Sequence, residues 1–399
     1  MLDLYATEKL RDLYPRVKKY LETEIYPIEL DLLKRPFGEV EKILRAKKEE
    51  VRRLGVWNAY HEETHGGPGL NLVEVAQLGE LLATTPFGHF LCNCQAPDAG
   101  NIELLLRYAS REIRETFLHP LLEGKIRSCF SMTEPEFAGS NPVDMGTTAV
   151  REGDEYVING HKWFTSSADG AAFAIVMCIT HPEETNPYRR ASMIIVPTDT
   201  PGFEFVRNIS VMGHPGEGWA SHAEIRYNHV RVPLSNLIGP EGGGFQLAQE
   251  RLGPGRIHHC MRWIGICERS FSLMCRRAAT RNMGGGEMLG DKQMIQQMIA
   301  ESRAEIDAAR LMVLHTAYTM ETKGHRAASL EISTIKFFVA GVLQKVVDRA
   351  IQIHGALGVT DDTLLSWWYR EERAARIYDG PDEAHKTSLG RKILKEYTY

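Results

Sequence analysis

The chain has 399 residues, 43% of them hydrophobic and 25% charged, with a formal net charge of −5. That composition describes a globular protein of two or three domains, able to bury a core without staples. The weak acidic balance, without any basic block, argues against nucleic acid as a partner. Seven irregularly spaced cysteines with no C-x-x-C pair argue for reduced thiols over a disulfide framework.

Met1–Tyr5 lacks a basic region followed by an apolar run, no transit sequence is evident, and no segment approaches 18 uninterrupted apolar residues. A cytoplasmic protein without a transmembrane segment is therefore expected. Residues 1–127 read as an N-terminal helical domain. Leu10–Ile25, Val40–Leu54, Leu72–Leu82, Asn101–Leu106 and Arg111–Leu118 mix apolar and charged positions at helical spacing, with a break at Pro97 and Gly100. The period changes near Ser128. Tyr156-Val157-Ile158 reads as a strand entering an Asn159-Gly160 turn, and Phe173–Thr180, Ser192–Val196, Gly202–Val206 and His222–Val232 read as short strands. Residues 128–239 are thus expected to form a middle antiparallel β-domain. Glu241-Gly242-Gly243-Gly244 reads as a turn into the last domain, since no dinucleotide fingerprint or P-loop accompanies it. The helical pattern returns at Cys260–Arg277, Lys292–Thr322, Leu330–His354 and Asp361–Ile377, so a C-terminal four-helix bundle is expected over 240–399. His258, His259 and Cys260 are adjacent and diverge on a helix, so no metal site is expected. The fold class is α+β, in the order α–β–α.

Three stretches carry candidate chemistry. Phe130–Asn141 leads through Thr133-Glu134-Pro135 into an Ala138-Gly139-Ser140 loop. Exposed backbone N–H groups and hydroxyls there suit a polar planar ring and a phosphate chain; the alternative is a capped turn between strands. Gly160–Ser167 offers aromatic rings and hydroxyls for one wall of a ring-binding slot, or a half-buried strand with core aromatics. Asp379 follows the run Asp361–Ile377, with Gly380 letting the backbone turn. An acid at an element end can serve as a base if it faces a cavity; the alternative is a solvated helix-end carboxylate.

In this order, T-E-P-x-x-A-G-S, G-x-K-W-F-T-S-S, Q-E-R-L-G-P-G-R-I-H-H-C-M-R, Q-I-H-G-A-L-G and I-Y-D-G-P-D-E-A-H resemble the acyl-CoA dehydrogenase family over nearly the whole chain. The closest resemblance is to the subgroup of mammalian members ten and eleven and their bacterial relatives. The resemblance implies one FAD per subunit between the β-domain and the C-terminal helices. It also implies α,β-desaturation of an acyl-CoA thioester, in fatty acid β-oxidation, by α-proton abstraction and β-hydride transfer to flavin N5. Electron-transfer flavoprotein as the acceptor and a homodimer or homotetramer are further implications.

The family's base position is filled by Asp379, with Tyr378 and Gly380 matching its substrate-side neighbours. Phe130, Met132, Thr133, Gly139, Ser140, Phe164 and Ser166 match flavin and pantetheine contacts, with Thr133 as a hydroxyl donor. Arg281, Gln352 and Gly355 match the rest of the cofactor set, Arg281 reaching a neighbouring subunit's FAD, and Glu383 stands where the family has a Gln, able to accept a hydrogen bond there. Arg251 matches an arginine at the CoA mouth, and Glu250 before it matches an alternative base position used in some branches. Asp379 is one methylene shorter than the usual Glu, a loss of about 1.3 Å in reach. If Glu250 and Asp379 face one cavity, one of their pKa values should rise strongly. Glu250 is otherwise a tuner of the base, a reader of substrate polarity, or a helix-start acid. Alternative functions are a nitroalkane-type flavin oxidase, processing of 4-oxygenated or phosphorylated acyl-CoA, and a non-catalytic partner-binding scaffold.

Overall fold

A computed structural model describes residues 6–397, and of residues 252–254 the backbone alone. Met1–Tyr5, read above for targeting signals, lie outside the described residues. The first helices are α1 (Glu8–Tyr20), α2 (Glu29–Leu32), α3 (Phe37–Leu54), α4 (Leu72–Leu82), α5 (Gly88–Leu91), α6 (Asp98–Tyr108), α7 (Arg111–Ile113) and α8 (His119–Leu122). The strands β1 (Ser128–Ser131), β2 (Thr148–Glu152), β3 (Glu155–Ser166), β4 (Phe173–Ile179), β5 (Ala191–Pro197), β6 (Phe203–Asn208), β7 (His222–Pro233) and β8 (Leu237–Ile238) come next. Then come α9 (Gly244–Thr280), a small hairpin of β9 (Asn282–Gly284) and β10 (Glu287–Met288), and α10 (Gln293–Lys323), α11 (Ser329–His354), α12 (Leu364–Glu372) and α13 (Asp382–Lys395). Two compact units result. One combines the chain up to Arg35, Ala46–Cys92 and everything from Gly253; the other combines Pro36–Arg45 with Asn93–Leu252.

The helical unit is organised around α9, α10 and α11. Ile257, Met261, Trp263, Ile264 and Cys267 from α9 bury against Ile306, Ala309 and Val313 from α10 and Ile335, Val339 and Leu343 from α11. Those positions recur at three and four residues, which places them on one stripe of each helix. Local chemistry fixes the helix ends. Asn71 and Glu74 close a capping box at the start of α4, and Gly355 ends α11 at φ 63°, where a side chain would be strained.

In the other unit, β4 is buried along its whole length because it faces two cores. Phe173, Ile175, Met177 and Ile179 pack with Ile102, Leu105 and Leu118 from the helices. Ala174, Val176 and Cys178 pack with Ile194, Ile225 and Val230 on the opposite face. The two-residue strand period makes this division. The sheet runs β6-β7-β3-β2-β4-β5-β8, with β1 added on β4.

Two sequence expectations change. The sheet is mixed rather than wholly antiparallel, since β1 and the Thr148–Ile179 pair of β2 run parallel to β4. The chain between β1 and β4, which includes β2 and β3, supplies the long connection that a parallel pair needs. Asn159-Gly160 is not a hairpin turn. β3 runs straight through it with a register shift against β7, and the turn lies instead between Glu152 and Glu155. Gly160 has no room for a side chain, because a Cβ there would lie 2.2 Å from Thr147 Oγ1. Asn159 Oδ1 accepts the His229 backbone N–H at 2.9 Å. A close backbone approach in the sheet thus outweighs the local turn preference.

Candidate active site

The segment carrying Asp379 is pinned on both sides. A 3₁₀ turn, Arg373–Arg376, leads into it, and α13 leads away. Lys336 on α11 is fully buried and donates from Nζ to the Ala375 carbonyl at 2.8 Å. His385 on α13 donates from Nε2 to the Asp379 carbonyl at 3.1 Å. Arg376 Nε donates to buried Asp382 Oδ2 at 2.7 Å. Burial pulls the Lys336 ammonium below its ordinary pKa, partly offset by the charges of Asp382 and Asp379. Asp379 has φ 53° and Gly380 φ 94°, so the chain reverses on two left-handed residues. The turn therefore begins on the acid itself, and Asp tolerates that region better than most residues. A Cβ on Gly380 would meet His385 Nε2 at 2.8 Å. Gly380→Ala should cost roughly 1 kcal/mol or more of stability. By shifting Asp379 it should also slow turnover by about 10²-fold, readable as a drop in kcat in protein that stays folded.

The Tyr378 hydroxyl accepts from Arg262 Nη2 at 2.7 Å and Trp263 Nε1 at 2.9 Å, and donates to Glu372 Oε2 at 3.2 Å. Arg262 also pairs with Glu372 through both guanidinium nitrogens, and Glu372 is buried. Burial pushes the Tyr378 phenol well above its ordinary range, so it stays neutral. Its ring is thereby fixed immediately before Asp379.

The Asp379 carboxylate meets a residue that the sequence reading set aside. His259 Nε2 lies 3.1 Å from Asp379 Oδ2, with the two side chains 19% and 21% exposed. The His259 ring stacks on Trp263, with centroids 6.0 Å apart and planes at 24°, and tilts against Tyr378 at 5.1 Å. Its neighbour His258 points elsewhere and packs on Tyr60 at 4.2 Å, where burial drops its pKa to about 3. Arg256, one turn before His259, is pulled down by burial while the Asp379 charge raises it. The field of Arg256 thus reaches Asp379. Arg256, His259 and Trp263 share one face of α9 at positions i, i+3 and i+7, a signal that spacing alone could have supplied.

Glu250 and Arg251 lie in the other unit, where both are engaged. Glu250 accepts from Tyr108 Oη through Oε2 and from Gln246 Nε2 at 3.0 Å through Oε1. These two bonds hold its carboxyl below the usual range. The strong rise foreseen for a proton-sharing pair is therefore not found at Glu250. The Arg251 guanidinium lies 4.3 Å over the Phe130 ring, and its Nε donates to Asn101 Oδ1 at 3.2 Å.

The expected flavin wall is stitched together by a buried ion pair. Lys162 Nζ donates to the Met132 carbonyl and to Glu134 Oε1, both at 2.8 Å. Glu134 also accepts the backbone N–H of Gly146 at 2.6 Å and Thr147 at 2.9 Å, which ties both ends of the intervening loop together. Burial pushes Glu134 up, but Lys162 and the donors outweigh it and hold the acid below its ordinary value. Burial wins at Lys162, whose pKa falls. Thr133, expected as a free hydroxyl donor, gives its proton to the Trp163 carbonyl at 2.9 Å. Ser166 Oγ pairs with His222 Nδ1 at 2.8 Å. Phe164 sits at φ 49° in a bulge of β3, 44% exposed and edge-on to Trp163 at 5.0 Å. Met132, Thr133, Phe137, Ala138 and Gly139 line a recess, while Gly139 and Ser140 are exposed. In the helical unit, Arg281, Gln352, Gly355 and Glu383 are likewise exposed.

Comparison with known proteins identifies the architecture. The N-terminal, middle and C-terminal domain models of acyl-CoA dehydrogenases match residues 7–125, 129–230 and 242–394. FadE2 of Mycobacterium tuberculosis, which carries an acyl-CoA dehydrogenase name, is 41% identical over 98% of this chain and 97% of its own length. The chain belongs to the acyl-CoA dehydrogenase family. Acyl-CoA dehydrogenase family member 11 of Gallus gallus is 40% identical over 97% of the chain, which spans 51% of that protein, about half the length of such relatives. A Mycobacterium abscessus structure described as an acyl-CoA dehydrogenase superposes with TM-score 0.94 at 37% identity, covering 99% of this chain and 100% of that one. Within this family's fold of helical, β and helical domains, Asp379 occupies the last of the three matched segments. Among the described residues, no three His, Cys, Asp or Glu side chains are grouped to hold a metal ion, and no helix is long and apolar enough to cross a membrane.

Proposed function

We propose that this protein is an FAD-dependent acyl-CoA dehydrogenase in which Asp379 removes the α-proton of an acyl-CoA thioester. The observation that carries this reading is the carboxylate itself: in the base segment, on a strained turn fastened by Lys336 and His385, partly shielded and facing His259. A thioester α-proton is far too weakly acidic for a carboxylate acting alone, so the charge growing on the thioester oxygen must be stabilised as the proton leaves. The backbone N–H of Asp379 is the chain's own donor for that charge. An apolar acyl chain entering the site expels water and makes the carboxylate a stronger base.

FAD is the cofactor, and it supplies the acceptor for the β-hydride. The residues present suit a flat polar ring and its phosphates: an exposed aromatic face at Phe164, the Phe130, Met132, Thr133 and Ser166 segments, and the open Gly139-Ser140 backbone. Arg281, Gln352, Gly355 and Glu383 complete the proposed set, and Arg251 takes the CoA end. Thr133 and Ser166 contribute through backbone and shape, since their hydroxyls have partners within the sheet. Electron-transfer flavoprotein receives the electrons, and the enzyme works in β-oxidation as a homodimer or homotetramer. Seven free cysteines, six of them buried, fit a reducing compartment such as the cytoplasm. A role on 4-oxygenated acyl-CoA rested on Glu250 as a second acid, and the engagement of both its oxygens weakens that support.

Anaerobic mixing of the purified flavoprotein with straight-chain acyl-CoAs of graded length tests this reading. Bleaching of the flavin is expected. Flavin-free protein would favour a binding scaffold, and oxygen consumption with a nitroalkane in the absence of CoA would identify an oxidase.

A further inference from the structure

The base of this protein is a short acid on a left-handed residue, and a histidine sits on it. From these facts we infer that His259 is the positioning residue for Asp379: its Nε2–H holds carboxylate Oδ2 and sets where the base stands during α-proton removal. The inference rests on the proposed role of Asp379 and adds a second residue to it.

Three observations support it. His259 Nε2 stands 3.1 Å from Asp379 Oδ2, within ion-pair distance. An ionised carboxylate only accepts, so a proton shared by the two atoms belongs to the imidazole Nε2. Next, His259 is itself aimed. Its ring is caught between the Trp263 indole, one turn further along α9, and the Tyr378 phenol ring. Both of those rings are tied to each other through the Trp263 Nε1 bond to the Tyr378 hydroxyl, and to Glu372 beyond. A locked side chain holding another at a defined point is what a positioning role requires. Last, the Asp379 backbone adopts φ 53°, so main-chain packing alone leaves the carboxylate at the end of a strained turn. Lys336 and His385 secure the carbonyls of Ala375 and Asp379, whereas His259 reaches the carboxylate itself. Among the charged and titratable groups that act on the pair are Arg256 and Cys260 on α9, Lys336 on α11, Tyr378, His385 on α13, and His258 and His89.

Glutamine and asparagine separate this role from simple space-filling. Gln can place an amide N–H where imidazole Nε2 stands; Asn stops one methylene short. Both are polar and helix-compatible, so both holoenzymes should fold and carry flavin. The probe is the acyl-CoA that bleaches the wild-type flavin fastest, mixed anaerobically with each holoenzyme under single-turnover conditions. His259→Gln is expected to bleach within about fivefold of wild type and His259→Asn about 10²-fold more slowly, the cost of a base displaced by roughly 1 Å. Substrate affinity, read from the perturbed flavin spectrum, should match in the two. Equal rates in the Gln and Asn variants, whether both fast or both slow, would overturn the inference. So would a loss confined to affinity. Asp379→Asn, run in parallel, keeps the two ideas apart. If it bleaches at the wild-type rate, the base assignment fails. If it is inactive while His259→Gln and His259→Asn behave alike, His259 alone is misassigned.

Discussion

Asp379→Asn should lower the rate of flavin bleaching by acyl-CoA by about 10²–10⁴-fold, the usual contribution of a positioned general base, while flavin content and acyl-CoA binding persist. Asn is the informative replacement because it changes little else. It has the same size, it tolerates the left-handed φ of 53° that this residue adopts, and its amide oxygen can still accept from His259 Nε2. What it cannot do is take a proton. A variant that folds, binds flavin and stays yellow with acyl-CoA therefore isolates the chemical step. Stopped-flow absorbance of the flavin measures it directly, and a rate near that of wild type would move the base elsewhere, with Glu250 the next carboxylate to replace.

The second large effect concerns stability. Arg262→Met should destabilise the protein by about 3–5 kcal/mol, because it leaves the buried Glu372 carboxylate without its guanidinium. Glu372 would keep only the Tyr378 hydroxyl, at 3.2 Å, among the partners that now include both guanidinium nitrogens. Tyr378 would lose its 2.7 Å donor as well. Removing both charges in Arg262→Met/Glu372→Leu should recover much of the loss, since two apolar side chains leave no stranded charge. Denaturation midpoints of the single and double variants check this. Because the Tyr378 ring packs against His259, the single variant should also slow flavin reduction even at temperatures where it remains folded.

Much of the architecture was legible in the chain because it depends on period. The helices are amphipathic with clear breaks, and β4 could be read from its apolar run even though it serves two cores. What period cannot supply is which faces meet. The motif singles out Asp379 and puts the turn at Gly380, and nothing local says that the reversal begins one residue earlier. His259 was dismissed as one of two divergent histidines. The divergence is real, but its consequence, one ring on Tyr60 and the other on Asp379, depends on how α9 packs in the helical unit. Asn159-Gly160 misled in the opposite direction. It has turn chemistry, but the sheet needs a residue without a side chain beside Thr147, and that requirement keeps the strand running. Thr133 and Glu250 were assigned from motif positions, and their hydroxyl and carboxylate oxygens have partners that motif matching does not see.

The central claim is that this chain oxidises an acyl-CoA thioester between its α and β carbons. Its most direct test is the stoichiometry of one anaerobic turnover, with flavin bleaching followed by absorbance and the CoA ester weighed by mass spectrometry. The prediction is one 2-enoyl-CoA, lighter by two hydrogens, for each flavin reduced. A flavin that stays oxidised with every acyl-CoA tried, or that bleaches without forming enoyl-CoA, would contradict it.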